Sequence, residues 1–267
     1  IAVYTQYVKP LTHKELHHWN RELMQGRTDL ESKGAYRTHD DPMQIVSGGL
    51  GMEKVYFEAP PSKSIQNEMR QFIQWFNGST PLTTGNSRGT LPPLTRAGIA
   101  HLYSVSIHPY EDGNGRMARG LAEKALSQDA GSPALSGLSR QIASKKSAYY
   151  DALERNNQEL DITDWLLYFA ETTIDAKAYT LKSVERVLEK AALYKKFDKE
   201  LNERQMKALN KLYEAEPEGF EGGLSAKNYI TITKASRATT TRDLKKLVDL
   251  GIIKQNGTKR FARYRLR

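Results

Sequence analysis

From Leu94 to Ile107 the chain is apolar nearly all round, with Leu94, Ala97, Ile99, Ala100, Leu102, Tyr103, Val105 and Ile107. That pattern predicts a buried helix. It has to stop at His108, because Pro109 disfavours helical geometry in the residue before it, and Gly113 and Gly115 then supply a tight loop. A second helix is predicted from near Asn114 through Met117, Ala118, Leu121, Ala122, Ala125 and Leu126. Upstream, Thr12 to Met24 reads as an amphipathic helix with Leu16, Trp19 and Leu23 on one face, Thr12 as N-cap and Glu15 placed for a capping box. Ser64 to Asn77 carries a core-facing stripe of Ile65, Met69, Phe72, Ile73, Trp75 and Phe76.

Elsewhere the periodicity changes. Gln44 to Ser47 and Lys54 to Glu58 are β-prone runs split by Gly48, Gly49 and Gly51 and stopped by Pro60 and Pro61, which predicts a hairpin over 44–58. Gln25 to Pro42 and Gly78 to Pro93 are polar, glycine- and proline-containing connectors. Leu138 to Asn156 is predicted as one helix, and Asp161 caps another that continues as a charged connector over 176–200. From Leu201 a second domain is expected: an amphipathic helix over Asn202 to Glu214, a short helix or turn at Tyr229 to Ile232, and a third helix from Ser236 to Gly251. Two β-prone runs then flank Asn256-Gly257, which reads as a hairpin turn. The fold class is therefore mainly α, with a helical domain over 1–175 and a smaller domain over 201–267.

The loop between the two central helices reads His108-Pro109-Tyr110-Glu111-Asp112-Gly113-Asn114-Gly115-Arg116-Met117-Ala118-Arg119. A glycine-bracketed turn feeding a helix N-terminus leaves backbone N–H groups unpaired at the positive end of the helix dipole, a ready phosphate cradle. Arg116 and Arg119 share one face of that helix and suit a polyphosphate. Asp112 would repel a bare phosphate, but it becomes favourable with a hard cation such as Mg²⁺ between them. His108 has the near-neutral pKa suited to taking a proton from a hydroxyl. Together these residues point to nucleophilic attack on a nucleotide phosphate.

This loop resembles the signature of the Fic family, H-P-F-x-(D/E)-G-N-G-R-x-x-R, with Tyr110 in place of Phe. The resemblance implies a Fic-type helical bundle with a hairpin flap, and transfer of AMP from ATP to a Ser, Thr or Tyr hydroxyl of a protein, with release of pyrophosphate. It implies His108 as base, Asp112 as Mg²⁺ ligand, Gly113, Asn114 and Gly115 as cradle, and Arg116 and Arg119 as clamps on the outer phosphates. It further implies that Val55, Tyr56, Phe57 and Glu58 of the flap face nucleotide and target, and that Tyr149, Tyr150 and Asn157 flank the adenine. Many relatives carry an inhibitory (S/T)-x-x-x-E-(G/N) helix. That string is absent here, and the expectation is that it belongs to a preceding segment. Transfer of another phosphate-containing group, removal of AMP, or a nucleotide-sensing DNA-binding regulator stay open as alternatives.

Composition narrows the setting. With no cysteine, disulfides and thiolate metal sites are excluded. The six histidines form no metal-binding pattern, and His17 and His18, being adjacent, point different ways on a helix. The sequence offers neither a long apolar run nor a secretion signal, so no membrane span and a cytoplasmic location are expected. The net charge of +9 is uneven: from Leu224 onward there are twelve Lys/Arg against two acids, leaving about −1 for residues 1–223. Three helices and a basic hairpin resemble a winged helix-turn-helix, with Arg237, Thr239, Thr240, Thr241, Arg242 and Lys245 on the candidate recognition helix. DNA is the partner this implies, and a homodimer is left open.

Overall fold

The computed structural model describes residues 2–40, 44–47, 54–81, 91–156, 160–214 and 222–267. The hairpin tip at 48–53 and the expected adenine-side Asn157 lie outside the described residues, and Val55, Tyr56 and Phe57 are described by backbone alone. The chain divides into two compact units, Ile1–Lys177 and Ala178–Arg267.

In the first unit, α1 (Ala2–Thr5), α2 (His13–Leu23), α3 (Ser62–Gly78), α4 (Pro93–Ile107), α5 (Asn114–Ala130), α6 (Leu138–Ser144), α7 (Lys146–Asn156) and the start of α8 (Thr163–Phe197) surround one core. The pair α4 and α5 forms its centre, with α3 against α4 and α1 and α2 against α5. Burial of Ala97, Ala100, Leu102, Val105 and Ile107 accounts for the all-round apolar pattern of α4. α8 approaches closely at Gly98: a Cβ there would sit a tight 3.0 Å from the Leu166 side chain and 3.2 Å from Phe169, and the Trp165 indole donates to the Gly98 carbonyl at 2.8 Å. Thr12 caps α2 by accepting from the Glu15 amide at 3.1 Å. The reciprocal half of the expected capping box is not made, because the Glu15 carboxylate pairs with buried Lys124 at 3.1 Å.

The segment predicted as one helix over Leu138 to Asn156 is broken at Lys145, whose φ of −124° and ψ of 45° are not helical. The flap strands β1 (Gln44–Ser47) and β2 (Lys54–Glu58) pair antiparallel, Ile45 opposite Phe57 and Val46 opposite Val55. Tyr56 is left without an opposite residue, a bulge that bends the strand locally.

The second unit holds the rest of α8, then α9 (Glu203–Glu214), α10 (Ala226–Thr233), α11 (Arg237–Asp249) and the strands β3 (Ile253–Asn256) and β4 (Arg263–Leu266). Leu209, Leu212, Leu224, Tyr229, Leu244, Leu247 and Ile253 form its core. Asn256-Gly257 does not make the whole turn. Asn256 pairs with Arg263, and the connection includes a 3₁₀ turn over Lys259–Phe261. Leu224 bridges Tyr264 and so adds a short third strand position to the hairpin. Thr240, expected on the exposed face of α11, is buried, whereas Arg237, Thr241, Arg242 and Lys245 are exposed.

Candidate active site

The motif loop spans the gap between α4 and α5. His108 ends α4 in the left-handed region, φ 50° and ψ 57°, where a non-glycine residue costs on the order of 1–3 kcal/mol and persists only if its surroundings over-determine it. Pro109 prevents the helix from continuing, and Tyr110 drops into the core, 1% exposed. The hydroxyl that distinguishes Tyr110 from the expected Phe meets His17 Nδ1 at 3.2 Å. Asn114 then closes the loop on itself: its Oδ1 accepts from the Tyr110 amide at 2.9 Å, and its Nδ2 donates to the Tyr110 carbonyl at 2.7 Å. The Asn114 side chain is thus a buried staple, and only its backbone faces the start of α5.

Gly113 precedes α5 with φ 86°, a left-handed conformation that favours glycine, and a Cβ there would come within 2.6 Å of Met24 Cε and push that methyl aside. The Met117 amide is bonded to the Gly113 carbonyl at 2.9 Å. The amides of Asn114, Gly115 and Arg116 therefore belong to the unpaired first turn of the helix. Arg116 is exposed, 3.6 Å from Asp112 and in reach of the Leu23 carbonyl. Half-buried Arg119 donates to Ser139 Oγ at 3.0 Å, and burial pushes its pKa down, Tyr149 opposing that shift. Both arginines line a groove of about 820 Å³ with Trp19, Leu23, Met117 and Leu138.

The His108 ring is half-buried, and desolvation holds its pKa down to about 4; Arg37 adds to the shift, while the Val105 carbonyl and Asp112 oppose it. Its Nδ1 is shut off from solvent without a partner at hydrogen-bonding geometry, although the Val105 carbonyl is near enough to be felt. At neutral pH the imidazole is uncharged and able to accept a proton. Asp112 Oδ1 accepts from the Gly113 amide, and its Oδ2 meets Arg27 Nη1 at 2.5 Å. Among the described residues no cluster of three or more metal-ligating side chains exists.

Of the two tyrosines expected beside the adenine, Tyr149 is buried with its hydroxyl 3.0 Å from His101 Nε2. Tyr150 is the more open ring, packed edge-on against Tyr149, with Lys146 Nζ 5.8 Å from its centre. Glu58 is exposed at the end of β2.

The residues that sequence reasoning missed lie at the end of α2 and in the polar connector between α2 and the flap. Glu111 accepts from the amides of Glu31 and Ser32 at 3.0 and 2.9 Å, and Arg27 holds Asp112. Buried Asn20 donates to the Asp112 carbonyl at 3.1 Å and accepts from the Gly34 amide at 2.9 Å. Arg37 grips His108 and Pro109. The connector is a collar around the motif. In the sequence it reads only as a polar loop with Gly26, Gly34 and Pro42, and nothing in that pattern names the partners its side chains find.

Residues 10–126 match the model of the Fic/DOC family. The protein adenylyltransferase Fic of Drosophila melanogaster is 33% identical over 138 residues, which are 51% of this chain and 25% of that protein. The protein adenylyltransferase fic-1 of Caenorhabditis elegans is 32% identical over 82 residues, 30% of this chain and 14% of that protein. The matched segments thus span a quarter or less of these relatives' lengths. A Fic family protein of Desulfovibrio desulfuricans has a similar fold, with a TM-score of 0.52 at 21% identity over all of this chain and 72% of that one. No helix among the described residues is long and apolar enough to cross a membrane. A helix pair joined by a stapled, glycine-bracketed loop, the family match over those residues and the shared fold together make residues 10–126 of this chain a domain of the Fic/DOC family.

Proposed function

We propose that this chain transfers AMP from ATP to a hydroxyl side chain of a protein. The observation that carries the reading is an uncharged, half-buried His108 held one short turn away from the open first turn of α5. The amides of Asn114, Gly115 and Arg116 donate to phosphate oxygens there, and Arg116 and Arg119 reach the outer phosphates from the same face. The target hydroxyl gives its proton to His108 as its oxygen bonds to the α-phosphorus. The bond from that phosphorus to the bridging oxygen breaks, and pyrophosphate leaves. The names of the Drosophila and Caenorhabditis relatives support this reaction class.

Asp112 would hold Mg²⁺ as a single carboxylate, which suits an ion that takes few protein ligands and several phosphate oxygens. Its Oδ2 is already turned to a cation, Arg27, so the carboxylate is set for positive charge. When bound, the ion supplies charge neutralisation on the phosphates. Tyr150 offers its ring to the adenine, and Val55 to Glu58 offer a strand edge to the target by β-augmentation.

The test is incubation with Mg²⁺ and α-labelled ATP, reading label on the chain itself and on added proteins. His108→Ala is expected to lower labelling by roughly 10²–10⁴, the worth of a positioned base, with ATP binding nearly intact. Label unchanged in that variant would overturn the assignment. ATP binding without any labelling would favour a nucleotide-sensing module.

We further propose that residues 201–267 are a winged helix that binds DNA. Arg237, Arg242 and Lys245 stand exposed on α11, and the Leu224–Tyr264 bridge gives the hairpin the third strand position of a wing. Affinity for duplex DNA is expected to fall steeply with salt, and Arg237→Ala or Arg242→Ala should each reduce the salt slope by about one. An absence of salt-dependent binding would leave this unit a protein-interaction module.

A further inference from the structure

We propose that Arg37 is a positioning residue for His108, tying the turn that holds the base to the exit of the flap. This rests on the reading of His108 as the base. Arg37 is 2% exposed, and all three guanidinium nitrogens are engaged. Nε donates to the carbonyl of His108 at 2.8 Å, Nη1 donates to Ser62 Oγ at 3.0 Å, and Nη2 donates to the Pro60 carbonyl. The Arg37 amide adds a bond to the Pro109 carbonyl at 3.0 Å. Ser62 passes the connection on by donating to the His39 carbonyl. One edge of the guanidinium therefore holds the motif turn, and the other holds Pro60 and Ser62, which follow directly on β2.

Why His108 needs such a brace is visible in the ring itself. No side chain bonds Nδ1, so the imidazole is not oriented by a carboxylate as in a catalytic triad. Its place is set from the main chain. That main chain is in the left-handed region at φ 50°, a conformation that reverts unless its carbonyl and its successor's carbonyl are held. Arg37 holds both. An arginine fork is required because a single rigid plane has to present donors in two directions, which a lysine ammonium on a flexible stem does not do.

A misplaced base loses rate without losing phosphate affinity, and errors of about 1 Å cost on the order of 10²-fold. Arg37→Met is thus expected to lower the single-turnover labelling rate about 10²-fold while the dissociation constant for Mg·ATP changes less than about threefold. The base limb of its pH profile should also move upward, since the cation near His108 is gone while Asp112 and the Val105 carbonyl stay. Ser62→Ala cuts one contact on the flap side and leaves the His108 carbonyl held, so rate and limb should stay close to those of the parent chain. Arg37→Lys keeps the charge and should leave the limb in place while the rate falls at least tenfold. If Arg37→Met does not fold, as judged by circular dichroism, Arg37→Lys carries the test.

Parent-like turnover in Arg37→Lys overturns the proposal. So does parallel loss of ATP binding and rate in Arg37→Met, or an equal rate loss in Ser62→Ala. His108→Ala is run alongside: label surviving in that variant refutes the base assignment itself, whereas an inactive His108→Ala beside fully active Arg37 variants refutes the brace alone.

Discussion

In the unit Ile1–Lys177, Arg37, Arg96 and Lys124 are almost wholly enclosed, each paired with carbonyls, hydroxyls or a carboxylate; in Ala178–Arg267 the cations Arg237, Arg242, Lys245 and Lys254 face solvent. Burying a cation is costly unless every donor finds an acceptor, so a buried guanidinium dictates where its neighbours must lie. An exposed one dictates nothing about the fold and remains available to an outside anion. The first unit uses charge to specify the geometry of its own backbone around the motif. Among its described residues the second unit has one enclosed charged centre, Asp243.

The largest effect that would break this contrast is expected at that one centre. Buried Asp243 accepts from Arg204 at 2.9 Å, Asn202 at 3.2 Å and the Tyr229 hydroxyl at 3.0 Å. Asp243→Ala leaves the buried Tyr229 hydroxyl without its acceptor and should destabilise the second unit by about 1–3 kcal/mol, with labelling by the first unit intact. Urea unfolding followed by circular dichroism, with labelling in parallel, reads both. Coupled loss of labelling would mean that the two units are not independent.

Acid should separate the units next. His17, His101 and His108 are held below the usual histidine value by burial, His101 down to about 3 and His108 to about 4. The unfolded chain binds more protons at these positions than the folded one as pH drops below 6.5. Their contribution is therefore full above 6.5 and is lost progressively as pH falls, towards 4 for His108 and towards 3 for His101. The second unit contains no histidine. Burial raises the Asp243 pKa, but bonds from Arg204, Asn202 and Tyr229 outweigh it and set it below 3.8, so the stability it contributes is lost only as pH falls below that value. Thermal melts at pH 7.5 and 5.5 should show the first unit weakening and the second unchanged. Equal weakening of both would refute this account of the buried histidines.

The smallest effect concerns the one departure from the family motif. Tyr110→Phe removes the 3.2 Å contact with His17 and little else, so stability should change by no more than about 1.5 kcal/mol, with labelling retained. A large loss would show that the hydroxyl does more for the loop than its single bond.

The hydrophobic periodicity alone determined α2, α3, α4 and α5, because a helix that must bury a stripe writes that stripe every three to four residues. The order of residues from His108 to Arg119 likewise determined the local chemistry: proline, glycines and a helix start are short-range instructions, read within one turn. What only the tertiary structure decided is everything joined across sequence distance. Arg37 is 71 residues from the carbonyl it holds, Arg27 is 85 from Asp112, and Asn20 is 92 from the same loop. Tyr149 and Tyr150 looked interchangeable until packing sent one to His101 and left the other open. Asn114, expected at the phosphate, turned its side chain inward because the loop's own amide and carbonyl needed closing. A polar side chain can satisfy its hydrogen bonds with many partners, so its identity does not name the one it will find. That choice is made by which backbone groups the packed helices leave unpaired nearby.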